Sequence, residues 1–303
     1  MTRVIKTVAL AGATGNLGSR ILKALVDTGR FNITVLTRNA SGRNFPFFVT
    51  VKEVDFGSLS SLTDAVRGQD AVIDSTYSYE SEGPRRLIDA CIAAGVYRYI
   101  PPEFGYDPLS KAVQALPVFQ RKTDILHHLT GKLKNSDLTW TAVANGAFLD
   151  FLNSPFLGFD LKNKDITLFG EQGYLTGPLT SLEAVGKATA QVLLHPEETH
   201  NRVVFIASAY LGQKKVVQLA KEALGPDGWK QSVVDPHKEH ERAQERLQKG
   251  EFDEKVAIAI LQYGMTSDAI THVWERSDNK LLGVEELSDE QVKEFLRKLA
   301  SAT

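Results

Sequence analysis

Cysteine is nearly absent: Cys91 is the only one in 303 residues. A lone thiol forms no internal disulfide, which excludes a disulfide-stapled secreted scaffold and fits a reducing, cytoplasmic compartment. Strong charge of either sign is missing too, with 35 basic against 37 acidic residues and a net charge of −2. Such a balance creates no field that collects polyanions, and no local basic patch stands out, so nucleic acid is not an expected partner. No apolar run approaches the ~18 residues needed to cross a bilayer. The richest, Val256 to Leu261, lies between Glu254-Lys255 and Gln262. The apolar stretch from Val8 is too short for a signal-peptide core and has no cleavage pattern after it, so no membrane contact is expected. HExxH and Cys/His clusters are lacking; the adjacent His127 and His128 diverge on a helix, and His237 and His240 sit in a charged, solvated run. No metal is therefore expected. GxSxG and GxxxxGK[ST] are also missing, which removes support for a hydrolase triad or a P-loop. Internal repeats, low-complexity tracts and Gly/Ser- or Pro-rich linkers are absent.

What remains is ordinary globular usage, 43% hydrophobic and 24% charged. The first half alternates short β-branched runs with helical patterns, the signature of parallel βαβ units. Strands are read at Thr7 to Ala11, Ile33 to Thr37, Val49 to Asp55, Ala71 to Ser75, Arg98 to Ile100 and Leu138 to Ala144. Helices are read between them at Asn16 to Asp27, Leu59 to Val66, Gly83 to Ala94 and Ala115 to Leu133. Continuous apolar strands need cover on both faces, which predicts a Rossmann-type, doubly wound α/β sheet. From about residue 145 the rhythm loosens, and Pro155, Gly158, Gly170, Gly173, Gly177 and Pro178 mark loops around a strand at Asp165 to Leu168. A helix near Ser181 to Leu194, a strand at Arg202 to Ala207, and helices near Gln213 to Leu224, Lys238 to Gln248, Asp253 to Tyr263 and Asp289 to Ser301 follow. The expected division is a dinucleotide-binding part over residues 1–150 and a smaller α+β substrate-binding part over residues 151–303, packed on the sheet.

Gly12-Ala13-Thr14-Gly15-Asn16-Leu17-Gly18 leaves a predicted strand and opens a predicted helix, the context of a dinucleotide fingerprint. Gly12 makes the tight turn, Gly15 leaves room for a pyrophosphate, and Gly18 lets the helix press on the strand. The helix N-terminus supplies donors and partial positive charge for the phosphates. At the end of the second strand a carboxylate would hold a ribose 2′-hydroxyl, whereas arginine accommodates a 2′-phosphate. That position is Arg38, with Arg43 close behind and no acidic residue in Leu36-Thr37-Arg38-Asn39, so NADPH is the expected cofactor. Asp55 and Phe56, at the end of the third strand, are placed where an adenine would sit; turn capping and packing are the competing explanation.

Three spaced motifs, the glycine turn, Arg98-Tyr99-Ile100-Pro101-Pro102-Glu103-Phe104-Gly105 and Phe119-Gln120-Arg121-Lys122, together resemble the NmrA-like and isoflavone-reductase-like branch of the atypical short-chain dehydrogenases. The middle segment is similar to that branch's "F-[IL]-P-S-E-F-G" signature, with Pro102 in place of serine. The resemblance covers the first 150 residues or so clearly and the second half in general layout. It implies NADP(H) binding and reduction of double bonds, ketones or benzylic ethers in small aromatic metabolites, with Lys122 matching the family's lysine. A lysine there can hydrogen-bond the nicotinamide ribose and stabilise or protonate an oxyanion that develops as hydride arrives. The tyrosine acid of the better-known short-chain dehydrogenases is missing, because Val118 stands four residues before Lys122. A literal YxxxK at Tyr210 to Lys214 follows a late strand and is read as chance.

Ser75, Thr76 and Tyr77 leave the fourth strand and Asn145 leaves the sixth, and ligands of open α/β sheets bind outside those ends. Ser75, Thr76 and Asn145 are expected along the cofactor, and Tyr77, Phe104, Phe148, Phe151 and Tyr174 along the substrate, although core packing explains the aromatics as well. The sequence-level expectation is an NADPH-dependent reductase of a small aromatic or polyketide-type metabolite in secondary metabolism. Its alternatives are a dinucleotide-binding redox sensor that acts through a protein partner, and an isomerase or lyase that recycles the cofactor. Monomer and homodimer are both compatible with the sequence.

Overall fold

Apolar residues in the first half set the layers. β1 (Thr7–Ala11), α1 (Asn16–Thr28), β2 (Asn32–Thr37), β3 (Thr50–Glu53), α2 (Leu59–Val66), β4 (Ala71–Asp74), α3 (Glu82–Ala94) and β5 (Arg98–Ile100) alternate as the sequence predicts. The computed structural model describes residues 3–77, 80–268 and 270–302. Successive strand residues point to opposite faces. Val8, Leu10, Val35 and Ile73 therefore pack on one side with Ile21 and Leu25 of α1. Ala9, Ala11, Leu36 and Val72 face the other, against Leu62 of α2 and Leu87 of α3. Gly29 and Gly95, both in the left-handed region, close α1 and α3.

The helix expected over Ala115 to Leu133 is interrupted. Pro117 has no N–H to give to a preceding turn, so the segment becomes α4 (Lys111–Gln114), a 3-10 turn at Pro117–Phe119 and α5 (Gln120–Lys132). α5 leads to β6 (Thr139–Ala144), buried along its whole length. The strand expected over Val49 to Asp55 keeps only its middle, β3, as an edge strand paired with β2 on one side.

After β6 the chain leaves the sheet and builds β7 (Ala147–Phe148), β8 (Phe159–Asp160), β9 (Asp165–Phe169) and β10 (Gly177–Thr180). α6 (Leu182–Leu194) and β11 (Arg202–Phe205) then return to it. β11 pairs parallel with β6, so among the described residues seven strands form one parallel sheet in the order β11-β6-β5-β4-β1-β2-β3. α6 lies against α1 so closely that a Cβ on Gly186 would fall 2.7 Å from the Arg20 carbonyl carbon. The loosening of pattern near residue 150 thus marks an excursion of the chain; the sheet itself ends at Phe205.

A buried cation ties this return in place. Arg98 is fully buried; it donates to the hydroxyls of Thr139 (2.8 Å), Thr141 (2.9 Å) and Thr199 (3.0 Å) and to the Pro196 carbonyl (2.6 Å). Each threonine hydroxyl passes its own proton to a backbone carbonyl, those of Tyr97, Thr199 and His195 respectively. β5, β6 and the loop that delivers β11 are joined by one guanidinium.

The remaining elements are β12 (Ala209–Leu211), α7 (Gln213–Leu224), β13 (Lys230–Val234), α8 (Pro236–Gln248), α9 (Glu254–Met265), α10 (Asn279–Leu282) and α11 (Asp289–Ser301). Among the described residues two three-stranded sheets, β12-β10-β7 and β13-β9-β8, share a separate core around Leu149, Phe159, Phe169, Leu179, Leu219 and Leu296. Among the described residues no helix is long and apolar enough to cross a membrane.

Candidate active site

Strand order reverses between β1 and β4, and the crevice outside the carboxyl ends of such strands is where open α/β sheets bind ligands. The glycine turn sits there. Gly12 has φ +84°, and a Cβ on it would lie 2.6 Å from the Ser75 carbonyl oxygen. Gly15 caps α1, and its N–H donates to the Gly12 carbonyl at 3.0 Å. A Cβ on Gly15 would touch only that same carbonyl, at 3.4 Å, and would otherwise stand in open space. Gly18 is the tightest of the three: its Cβ would fall 1.9 Å from the Gly12 oxygen and 2.7 Å from the Ser75 Oγ. The helix presses on the turn itself and on Ser75, just past β4, where the sequence reading put the contact on β1.

A cleft of about 950 Å³ opens beside this turn. Its wall is formed at one end by Gly12, Thr14, Gly15, Asn16 and Leu17, with the first-turn N–H groups of α1 available to phosphates. Arg38, Arg43 and Phe56 line the β2 side, and both arginines are exposed. Glu53 turns its carboxylate to the Ala40 N–H at 2.7 Å. Ser75, Thr76, Tyr77, Phe104, Lys122 and Phe148 line the opposite end. Ser75 donates to the Ala11 carbonyl at 3.1 Å, and Thr76 donates to Asp74 at 2.6 Å. Asp74 also accepts from the Tyr99 hydroxyl at 3.0 Å; burial pushes its carboxyl up, against these hydrogen bonds. The residues present fit a dinucleotide: a glycine cradle that a Cβ would fill, helix donors, and arginines beyond the β2 end.

Five expected residues are not on that wall. Gly18 works from behind, as just described. Asp55 accepts from the Gly57 N–H at 2.7 Å and faces a neighbouring hollow with Arg38, Glu53 and Phe56. Asn145 is fully buried and donates to the Gly146 carbonyl at 2.9 Å. Phe151 stands outside, edge-on to Phe148 at 5.6 Å. Tyr174 belongs to the second core, its ring 6.0 Å from Phe169, and burial pushes its hydroxyl well up.

Lys122, on the first turn of α5, is part-buried and donates to the Phe104 carbonyl at 3.2 Å. Desolvation pushes its ammonium below the ordinary lysine range; Glu103 pulls it back up and Arg121 pushes it further down. Glu103 is 3% exposed; burial pushes its carboxyl up, against the pull of Lys122 and Arg121. Glu103 and Arg121 are not among the residues that sequence reasoning placed at the site. Arg121 lines the cleft with its guanidinium 5.6 Å from the Tyr77 ring centre. Both flank recognised motif positions, and that adjacency was the available signal. Val118 packs beside a small cluster of Ala243, Val256 and Ile260. Lys214 of the late YxxxK donates to Gln172 at 2.8 Å, away from the cleft.

Parallel sheet, glycine cradle, arginine-flanked groove and a lysine at its far end define an NADP(H)-binding oxidoreductase of the Rossmann type. The model of the NmrA-like family matches residues 5–237, and the chain belongs to that family. Oxidoreductase aprR of Aspergillus flavus is 37% identical over 246 residues, 80% of this chain and 82% of that one. Oxidoreductase poxI of Penicillium oxalicum is 30% identical over 294 residues, 93% and 91% of the two chains. The binary complex of leucoanthocyanidin reductase with NADPH from Vitis vinifera superposes with a TM-score of 0.77 at 15% identity, covering 96% of this chain and 99% of that one.

Proposed function

We propose that this protein reduces a carbonyl or a conjugated double bond in a small aromatic or polyketide-type metabolite, with Lys122 acting at the substrate oxygen. The observation that carries this reading is the position of Lys122. Its ammonium is held by one carbonyl, partly desolvated, and set in the wall of the same cleft as the glycine cradle. Bound NADPH supplies the hydride. The chain's residues do the rest: α1 and Gly15 bind the pyrophosphate, and Arg38 with Arg43 favours a 2′-phosphate over a free hydroxyl. Tyr77, Pro102, Phe104 and Phe148 give the substrate end an apolar, partly aromatic lining. The Lys122 ammonium donates to the oxygen on which negative charge develops and can release its proton there, a role that partial desolvation favours.

Loss of reduced-nicotinamide absorbance, with NADPH and then NADH, against aromatic ketones, enones and quinones tests the proposal, with Lys122→Ala alongside. Turnover with NADPH that falls by ~100-fold or more in the variant is the expected result. Tight NADPH binding with no reduction across the panel would overturn it in favour of a redox-sensing regulator.

A further inference from the structure

Behind Lys122 lies a second, much smaller space. It measures about 10 Å³ and is lined by Glu103, Tyr106, Gln114, Lys122 and Thr123, among others. Lys122 therefore borders two compartments, the open cleft on one side and this pocket on the other. Glu103 borders only the inner one. Its Oε1 is buried and has no hydrogen-bond partner among the described residues, an expensive state for a carboxyl group. No direct ion pair joins it to Lys122 among the described residues, although each is the largest charge acting on the other. The wall is mixed, with Pro108, Val113 and Phe119 beside the polar atoms of Glu103, Gln114 and Lys122, and a space of this size is the minimum that holds one water.

We propose that Glu103 and one water in this pocket form a proton store for Lys122, a role that rests on the reductase reading for its use but not for its existence. When Lys122 Nζ gives its proton to the substrate oxygen, the water donates a proton to the neutral amine and takes one from the Glu103 carboxyl. One N–H bond breaks and one forms on Lys122, and Glu103 is left as a carboxylate facing the restored ammonium. Between turnovers a proton from the open cleft returns through Lys122 and the pocket water to Glu103. Burial supports the exchange by moving the two groups toward each other: it raises the carboxyl and lowers the ammonium. The other ionisable groups around the pair are Arg121 on α5, Tyr99 on β5, and Tyr106 on the pocket wall, whose hydroxyl burial raises to about 12. Arg121 pulls the carboxyl down and so opposes burial; a neutral tyrosine adds no charge near neutral pH. Glu103 is a positioning residue, acting on substrate only through Lys122.

The experiment is a direct titration of Lys122 by nitrogen NMR in protein labelled with ¹⁵N-lysine, without cofactor, with the signal assigned by its loss in Lys122→Arg. In wild type the Lys122 signal should titrate in two linked steps. In Glu103→Gln it should collapse to one step, with the ammonium fraction above the midpoint reduced about tenfold. NADPH affinity should stay within about twofold, since Glu103 does not line the cleft. Glu103→Asp, which keeps the carboxyl but withdraws it by one methylene, should give an intermediate curve and serves if the glutamine variant does not fold. Superimposable titrations in wild type and either folded variant overturn the proposal. An altered titration in a protein that reduces nothing in the panel would leave the proton store standing and defeat the reductase reading instead.

Discussion

The glycine turn makes a paired prediction, because Gly15 and Gly18 differ in what a single added methyl meets. In Gly18→Ala the new carbon would lie 1.9 Å from the Gly12 oxygen and 2.7 Å from its carbonyl carbon. That is more than ~1 Å inside a normal carbon–oxygen contact of about 3.3 Å. The obstacle is backbone, and Gly12 is itself held against Ser75, so relief requires α1 to move as a body. Overpacking of this kind costs about 3 kcal/mol, and alanine's helix propensity returns about 1, for a net loss near 2 kcal/mol. Thermal unfolding followed by circular dichroism should show a fall of ~3 °C. In Gly15→Ala the carbon sits 3.4 Å from its one neighbour at the mouth of the cleft. Stability should drop by only ~0.5 kcal/mol for the weaker helix cap. The methyl instead occupies the approach of a phosphate to the α1 N–H groups. Loss of one charge-assisted hydrogen bond, about 1.5–3 kcal/mol, weakens NADPH binding by roughly 10- to 150-fold, readable by nucleotide fluorescence. A Gly18→Ala protein that melts like wild type, or a Gly15→Ala protein that binds NADPH like wild type, would refute the assignment of these two glycines to packing and to ligand.

Replacing both Arg38 and Arg43 with alanine should weaken NADPH binding by about tenfold or more while leaving NADH nearly unchanged, in paired titrations at fixed salt. Equal losses for both nucleotides would remove the arginines from the 2′-phosphate. Arg98→Ala should cost about 3 kcal/mol in denaturant unfolding, since it empties a fully buried site and strips the Pro196 carbonyl and three threonine hydroxyls of a donor; a change under ~1 kcal/mol would show the network to be dispensable. Asp70 accepts from the Lys6 and Thr7 N–H groups at 2.8 and 2.9 Å; burial pushes its carboxyl up, but hydrogen bonds outweigh it and hold it below the ordinary aspartate range. Its contribution is thus full above about pH 4 and lost as pH falls through the lower folded value. Wild type should shed stability below pH 4 that Asp70→Asn has already lost, and parallel acid profiles would contradict this.

The parts of the fold legible in sequence are those with a strong local period. β1, β4, β5 and α7 fall on their expected bounds to within a residue, because apolar runs and glycine stops mark them. Of the two small sheets the sequence shows only β9, since β7 and β8 have two residues each and β12 three, too short to show alternation. The single helix read across Pro117 shows apolar spacing overriding a breaker that the backbone obeys. At the site, the glycine turn and Lys122 were visible because each has a fixed neighbour in sequence. Glu103 was quoted with its motif but given no role, because its significance lies in burial beside Lys122, which no spacing reveals. Tyr174 was misplaced for the same reason: an aromatic near a loop gives no sign of which core receives it.

The late arrival of β11 and α6 has a consequence for how the protein is made. Until Phe205 has been synthesised, β6 is a bare edge and α1 presents to water the apolar stripe that α6 covers. The nascent chain must carry a nearly finished sheet with an open side while the whole excursion from Ala147 through Thr180 is threaded in between. Arg98 spends that interval without the Thr199 and Pro196 partners that lie beyond it. A nascent chain whose β6 has emerged while β11 has not would therefore display a sticky, incomplete intermediate, the species on which a chaperone would be expected to act. Release of that hold should coincide with emergence of β11 from the exit tunnel.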